Sequence, residues 1–221
     1  MCLASIVKLP NCDVFTFSRD ENLQRPFAGP EYIRPGIFAP KDIEAGGTWI
    51  GTNGKAVMSL QNGGKIPHKR ELPYALSRGL LLLNMLEFDN IENIKLLINN
   101  QKTEPFTISI HRNGQLEKEL ITWDGDELQI ELIAHQNKWL NCSSTLYNEE
   151  LKTKFTYELN NAIFYAPEDI YNFHLERIIG AKSNPLTRPG TSSITQFVMN
   201  GAYSSCRFTD LLKGNDETYY I

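Results

Sequence analysis

Cys2 and the run Ser18-Arg19-Asp20-Glu21 supply a thiol, a guanidinium and carboxylates within the first stretch of the chain. A thiolate is the nucleophilic form of cysteine, and a neighbouring arginine favours it over the thiol. If Met1 is removed, Cys2 also carries the chain's α-amine, whose pKa of about 7.7 to 8.0 lets it act as a general base near neutral pH. Nucleophile and base then share one residue.

Chemistry of this kind requires the two segments to meet. Met1–Lys8 and Asp13–Glu21 are apolar, β-branched and aromatic runs separated by Pro10-Asn11-Cys12, which predicts a hairpin. With the turn centred there, paired residue numbers sum to about 21 to 23, so Cys2 faces Arg19, Asp20 or Glu21. A structural Arg-Asp pair is the plainer use of the same residues.

Cys2, Ser18-Arg19-Asp20-Glu21, the segment Asp42-Ile43-Glu44-Ala45-Gly46-Gly47-Thr48-Trp49-Ile50-Gly51 and Leu60-Gln61-Asn62 resemble, in that order, the marks of the transport and Golgi organisation protein 2 family. It is also called the NRDE family, after an Asn-Arg-Asp-Glu run in which Ser18 here replaces the Asn. Ser77-Arg78-Gly79 and Thr187-Arg188 with Thr191-Ser192-Ser193 look like later family positions. The family is similar to N-terminal nucleophile hydrolases of the bile salt hydrolase and penicillin V acylase group. The resemblance implies an α+β fold, a four-layer αββα sandwich of two antiparallel sheets, spanning residues 1–221 as one domain.

The resemblance also implies roles. Cys2 is the nucleophile, Arg19 favours its thiolate, Asp20 orients the α-amine, and Asn62 donates to the oxyanion of an amide or ester under attack. Alignment through Thr145-Leu146 puts Ser143 at a second oxyanion position, where a hydroxyl replaces a carboxamide. Arg188, Trp49 and Ser143 are the expected substrate-binding residues; Arg188 can orient a substrate carboxylate or hold its own Pro-rich loop. The alternative implied by the family is a non-catalytic protein that handles haem or lipid in the same pocket, since a cysteine thiolate can ligate haem iron.

Composition bounds the partners. The 221 residues carry a net charge of −4 with 41% hydrophobic and 22% charged content, ordinary globular usage. No basic stripe marks a nucleic-acid surface. The longest apolar run, Leu80–Leu86 with one Asn, is far short of the ~20 residues of a spanning helix. With no charged segment ahead of Leu3, a secretory signal is not expected, and cytoplasm is the default location. Cys2, Cys12, Cys142 and Cys206 form no C-x-x-C pair, and His68, His111, His135 and His174 show no ligand spacing. No metal or cofactor is called for, and the expected partner is a small-molecule substrate or ligand.

The remaining elements must frame that pocket. Arg25–Pro40, rich in Pro and Gly, reads as a surface loop, with Phe27, Tyr32 and Phe38 either lining a pocket or anchoring it. Gly46–Thr52 and Lys55–Asn62 read as strands joined at Asn53-Gly54, with Gly46-Gly47 allowing close backbone approach rather than cradling phosphate. Glu71–Leu86 and Asn90–Ile98 read as helices. Pro105–Arg112, Gln115–Trp123 and Glu127–His135 form an expected meander through Asn113-Gly114 and Asp124-Gly125-Asp126, followed by a strand at Lys138–Ser143. Helices at Asn148–Asn160 and Pro167–Ile179 supply the opposite outer layer. A loop at Ser183–Gly190 leads to strands Ser192–Met199 and Ala202–Leu211, and Lys213–Ile221 reads as a tail that is frayed apart from its aromatic end.

Overall fold

The structure is a computed structural model, and it describes residues 2–68, 74–115, 117–133, 136–178, 189–201 and 203–221. Two antiparallel sheets stack face to face, with a helix pair on each outer face. One sheet has the order β10-β1-β2-β11-β12-β13, built from β1 (Cys2–Lys8), β2 (Asp13–Glu21), β10 (Lys138–Cys142), β11 (Gly190–Asn200), β12 (Tyr203–Asp210) and β13 (Asn215–Tyr220). The other runs in sequence order from β3 to β9: β3 (Phe27–Arg34), β4 (Ile37–Asp42), β5 (Ile50–Thr52), β6 (Ala56–Asn62), β7 (Phe106–Arg112), β8 (Lys118–Trp123) and β9 (Leu128–Ile133). The expected αββα sandwich is the observed fold.

Strand periodicity explains the layering. Along β1, Cys2, Ala4 and Ile6 enter the layer between the sheets with Phe15, Phe17 and Phe197, while Leu3 and Val7 turn to the outer helices. Along β6, Met58 and Leu60 face the other helix pair and Val57 faces inward. Nearly every residue of β1 and β2 is buried, so this hairpin is the centre of its sheet.

Helices α1 (Arg78–Phe88) and α2 (Ile91–Asn100) cover the β3–β9 sheet through Leu81, Leu82, Leu86 and Ile94. Helices α3 (Glu149–Asn161) and α4 (Pro167–Leu175) cover the other through Leu159, Ile170 and Phe173. Asn90 and Asn148 cap α2 and α3 by accepting from Glu92 N and Leu151 N. Pro167 opens α4, whose Asp169 reaches back to the Tyr165 and Ala166 amides.

Three expectations are corrected. Arg25–Pro40 is not a loop but holds β3 and most of β4, joined by a turn with Gly36 at φ +74°. Its prolines are tolerated because β3 is an edge strand and the β3–β4 ladder shifts register between Ala28 and Glu31. The tail is not frayed: Asn215–Tyr220 pairs along β12, and Tyr219 packs its ring on Phe38. The first leucine-rich helix begins at Arg78; Tyr74–Ser77 are not helical, and 69–73 lie outside the described residues, as does His135. Among the described residues no helix is long and apolar enough to cross a membrane, and no group of three His, Cys, Asp or Glu stands ready for a metal.

Gly47 is needed for close approach, as its sequence suggested. A Cβ there would lie 2.4 Å from the Gly79 carbonyl carbon, so the start of α1 rests directly on the Gly47-Thr48 backbone. Gly47→Ala should therefore lose about 1–3 kcal/mol of stability in a urea titration; an unchanged midpoint would mean that the two backbones do not touch.

Candidate functional site

The β1–β2 ladder pairs Cys2 with Arg19. Both side chains leave on the inward face, and the Arg19 guanidinium carbon stands 4.4 Å from the Trp49 ring centroid and 5.3 Å from that of Phe27. Arg19 is 3% exposed and fully engaged: Nη1 donates to Ser192 Oγ at 3.0 Å and Nη2 to Asp42 Oδ2 at 3.3 Å. Arg25 Nε donates to the same Asp42 oxygen at 2.7 Å, and its other arm meets Glu44 at 3.3 Å. Burial would raise the Asp42 pKa, but Arg25, the Ala45 amide and Arg19 outweigh it and hold the carboxyl below its usual range.

Asp20 points the other way. Its side chain lies on the helix-facing side of β2, where Tyr147 Oη and Thr191 Oγ1 each donate to it at 2.6 Å. Burial raises its pKa to about 6 against these two hydrogen bonds. Tyr147 is shifted upward by burial and by the Asp20 charge, so its phenol stays a donor.

Cys2 is 4% exposed, yet its side chain borders a cleft of about 680 Å³. Burial, followed by the Asp20 charge, raises the thiol's pKa, while the Asp20 amide and Arg19 pull it down. The resting group is a thiol that needs a base. Across the cleft stand Asn62, Thr145, Leu60 and Trp49, with Arg78, Glu104 and His68 further along. Glu104 accepts from Arg78 and meets His68, each at 3.1 Å.

Of the sequence-derived candidates, the structure brings Cys2, Arg19, Trp49 and Asn62 to one cleft and sets Asp20 behind the sheet. Ser143 is not in the cleft lining: its hydroxyl donates to the Asn62 carbonyl at 2.5 Å and lies 2.9 Å from Thr145 Oγ1. Arg188 lies outside the described residues. Sequence reasoning missed Gln61, whose Nε2 donates to the Cys2 carbonyl at 3.2 Å and the Asn141 carbonyl at 2.8 Å while Asn141 Nδ2 returns a bond at 2.8 Å. The available signal was strand parity: Gln61 shares the inward face of β6 with Val57. Tyr147 also went unremarked as a partner of Asp20.

The family model for Transport and Golgi organisation 2 matches residues 1–170. The chain belongs to that family. No curated protein sequence matches it. Among solved structures it is similar to two variants of the conjugated bile acid hydrolase of Clostridium perfringens, both with a TM-score of 0.57 and 8% identity. The alignments cover 99% of this chain and 96% of one variant, and 100% and 97% for the other. At that identity the likeness speaks to the fold alone, which is N-terminal nucleophile hydrolase-like. It extends through β11–β13, beyond the residues that the family model matches.

Ser18, which stands where the family name has Asn, has a definite job in this chain. Its hydroxyl lies 2.8 Å from His174 Nδ1, and Ser5 Oγ lies 2.8 Å from Nε2, so α4 is pinned to β1 and β2. Burial, then Arg177, lowers the His174 pKa to about 3. Unfolding restores a pKa near 6.5, so between these values the unfolded chain binds the extra proton and stability falls as pH falls. Asp20 opposes this between 3.8 and about 6, because its raised pKa makes the folded state the better proton acceptor there. Comparison with His174→Gln cancels the Asp20 effect. The wild type's stability relative to that variant should shrink by about 1.4 kcal/mol per pH unit from pH 6 to 4, measured by denaturant unfolding at each pH.

Proposed function

We propose that the cleft hydrolyses an amide or ester, with Cys2 as an N-terminal nucleophile. The observation that carries the reading is the Cys2 side chain at the wall of a large cleft, beside the Arg19 guanidinium held by Ser192 and Asp42. Removal of Met1 exposes the α-amine, which takes the thiol proton as the sulfur attacks the substrate carbonyl. Asn62, at the end of β6, donates to the oxyanion. The C–N or C–O bond then breaks, and the protonated amine passes its proton to the departing nitrogen or oxygen. Water attacks the thioester, the amine accepts its proton, and the acid leaves with the thiol restored.

The other residues position these groups. Asp20, fixed by Tyr147 and Thr191, orients the amine from behind the sheet. Gln61 fixes the Cys2 carbonyl, and the Ser143 hydroxyl fixes the backbone of Asn62. Trp49 gives the cleft an apolar wall for the acyl group, and Arg188 is the proposed partner of a substrate carboxylate. The charged lining, with Glu21, Arg25, Asp42, Glu44, Arg78 and Glu104, favours a polar substrate over an apolar lipid, whose burial would strip water from these groups.

Intact-mass measurement of protein made in its native host should show loss of Met1. An electrophilic acyl probe should add once, at Cys2, and Cys2→Ala should abolish both adduct and turnover. Asn62→Ala should lower the acylation rate by about 10²–10³. Retained Met1 together with an unlabelled Cys2 refutes the reading.

A further inference from the structure

At the end of β1 remote from Cys2, a cavity of about 70 Å³ opens between the two sheets. Its wall is charged and buried: Asp13, His111 and Lys118 are 8%, 2% and 3% exposed. Asp13 comes from β2 in one sheet, His111 and Lys118 from β7 and β8 in the other. The half-exposed Lys8 stands at the mouth.

Asp13 Oδ2 meets His111 Nε2 at 3.0 Å, and Oδ1 lies 3.9 Å from Lys8. Burial would raise the Asp13 pKa, but His111, Lys8 and Lys118 outweigh it, so it remains a carboxylate. Lys118 Nζ donates to the Gln136 carbonyl at 2.6 Å. An ammonium has three donors, and one neutral carbonyl does not balance its charge. The second ring nitrogen of His111, Nδ1, is buried and has no hydrogen-bond partner among the described residues. Among the described residues one carboxylate thus serves two ammonium groups and an imidazole, beside a space that no described residue fills. A buried polar group left unpaired is costly, and a buried charge more so.

We propose that this cavity is a binding site for a small monovalent anion of the size of formate or chloride, held by Lys118 Nζ and His111 Nδ1. Asp13 engages His111 Nε2, which leaves Nδ1 as the ring nitrogen that meets the anion. The volume suits such an ion: a single water needs roughly 10–15 Å³, so a few non-hydrogen atoms fit and a nucleotide or sugar does not. Gln115, Gln136 and Asn137 at the rim carry carboxamides that can add donors. The buried ammonium excludes a cation. Both ligands come from the β3–β9 sheet, and His111 meets Asp13 of β2 across the sandwich, so the anion supports that contact at the end opposite the Cys2 cleft, and the site does not depend on any chemistry at Cys2.

Thermal unfolding of the full chain in sodium formate, chloride or sulfate at matched ionic strength tests the site. At about tenfold above its Kd, formate or chloride should raise the midpoint by about 3–6 °C in the wild type. In Lys118→Met that increment should vanish, while the general stabilisation by sulfate persists in both proteins. Equal formate and chloride increments in the two proteins overturn the proposal. Should Lys118→Met not fold, the wild type alone decides: the ¹³C-formate line should broaden on adding protein and sharpen again when chloride displaces it, and an unbroadened line overturns the site.

Discussion

The register of the β1–β2 hairpin is the constraint on which the site depends. Cys2 lies opposite Arg19, and both face inward because side chains alternate along a strand. A slip of one residue would send the sulfur to the helix-facing side and carry Arg19 away from Trp49 and Asp42. That slip is opposed along the whole ladder, since it would also push Phe15 and Phe17 out of the inter-sheet core and Val14 into it. The core that stabilises the hairpin and the geometry of the thiol are therefore one and the same specification. Gln61 and Asn141 reinforce it across the sandwich by bonding the Cys2 carbonyl and each other.

Much of this was legible in the sequence because it rests on local signals. Four Asn-Gly or Asp-Gly turns, at Asn53, Asn113, Asp124 and Asn200, mark hairpins, and the glycine of each adopts positive φ. That Cys2 faces Arg19, Asp20 or Glu21 followed from the position of one short turn, and the ladder selects Arg19. β3, β4 and β13 were hidden for a common reason: their sequences read as non-strand, and the features that did so are harmless where they occur. Proline costs little at an edge or beside a register shift, and the polar β13 is an edge strand that needs only Tyr219 and its flanking Ile221 to reach the core.

The site residues that sequence reasoning missed are those whose partners are remote. Gln61 meets Cys2 and Asn141; Tyr147 meets Asp20; Ser143 turns to the Asn62 backbone rather than into the cleft. Each of these bonds joins different strands or a strand and a loop, and no spacing within the chain announces it. Ser18 shows the same limit from the other side. Its place in the Ser18-Arg19-Asp20-Glu21 run was visible at once, but its hydrogen bond to a histidine on α4 exists only in the packed molecule.

The placement of the charges also follows from what a thiolate tolerates. A carboxylate on the same face as the sulfur would repel it at short range and hold the proton on. Asp20 instead leaves β2 on the opposite face, where two hydroxyls absorb its charge, and its influence on the thiol ranks below burial. Arg19 takes the inward face, where Glu21 and Asp42 rather than Asp20 offset its charge. The sheet thus places the Asp20 carboxylate and the Cys2 sulfur on opposite faces. Among the carboxylates that line the cleft, Asp42 sits under two arginines, Arg19 and Arg25. Strand alternation provides this separation at no added cost, because consecutive residues of β2 already point to opposite sides.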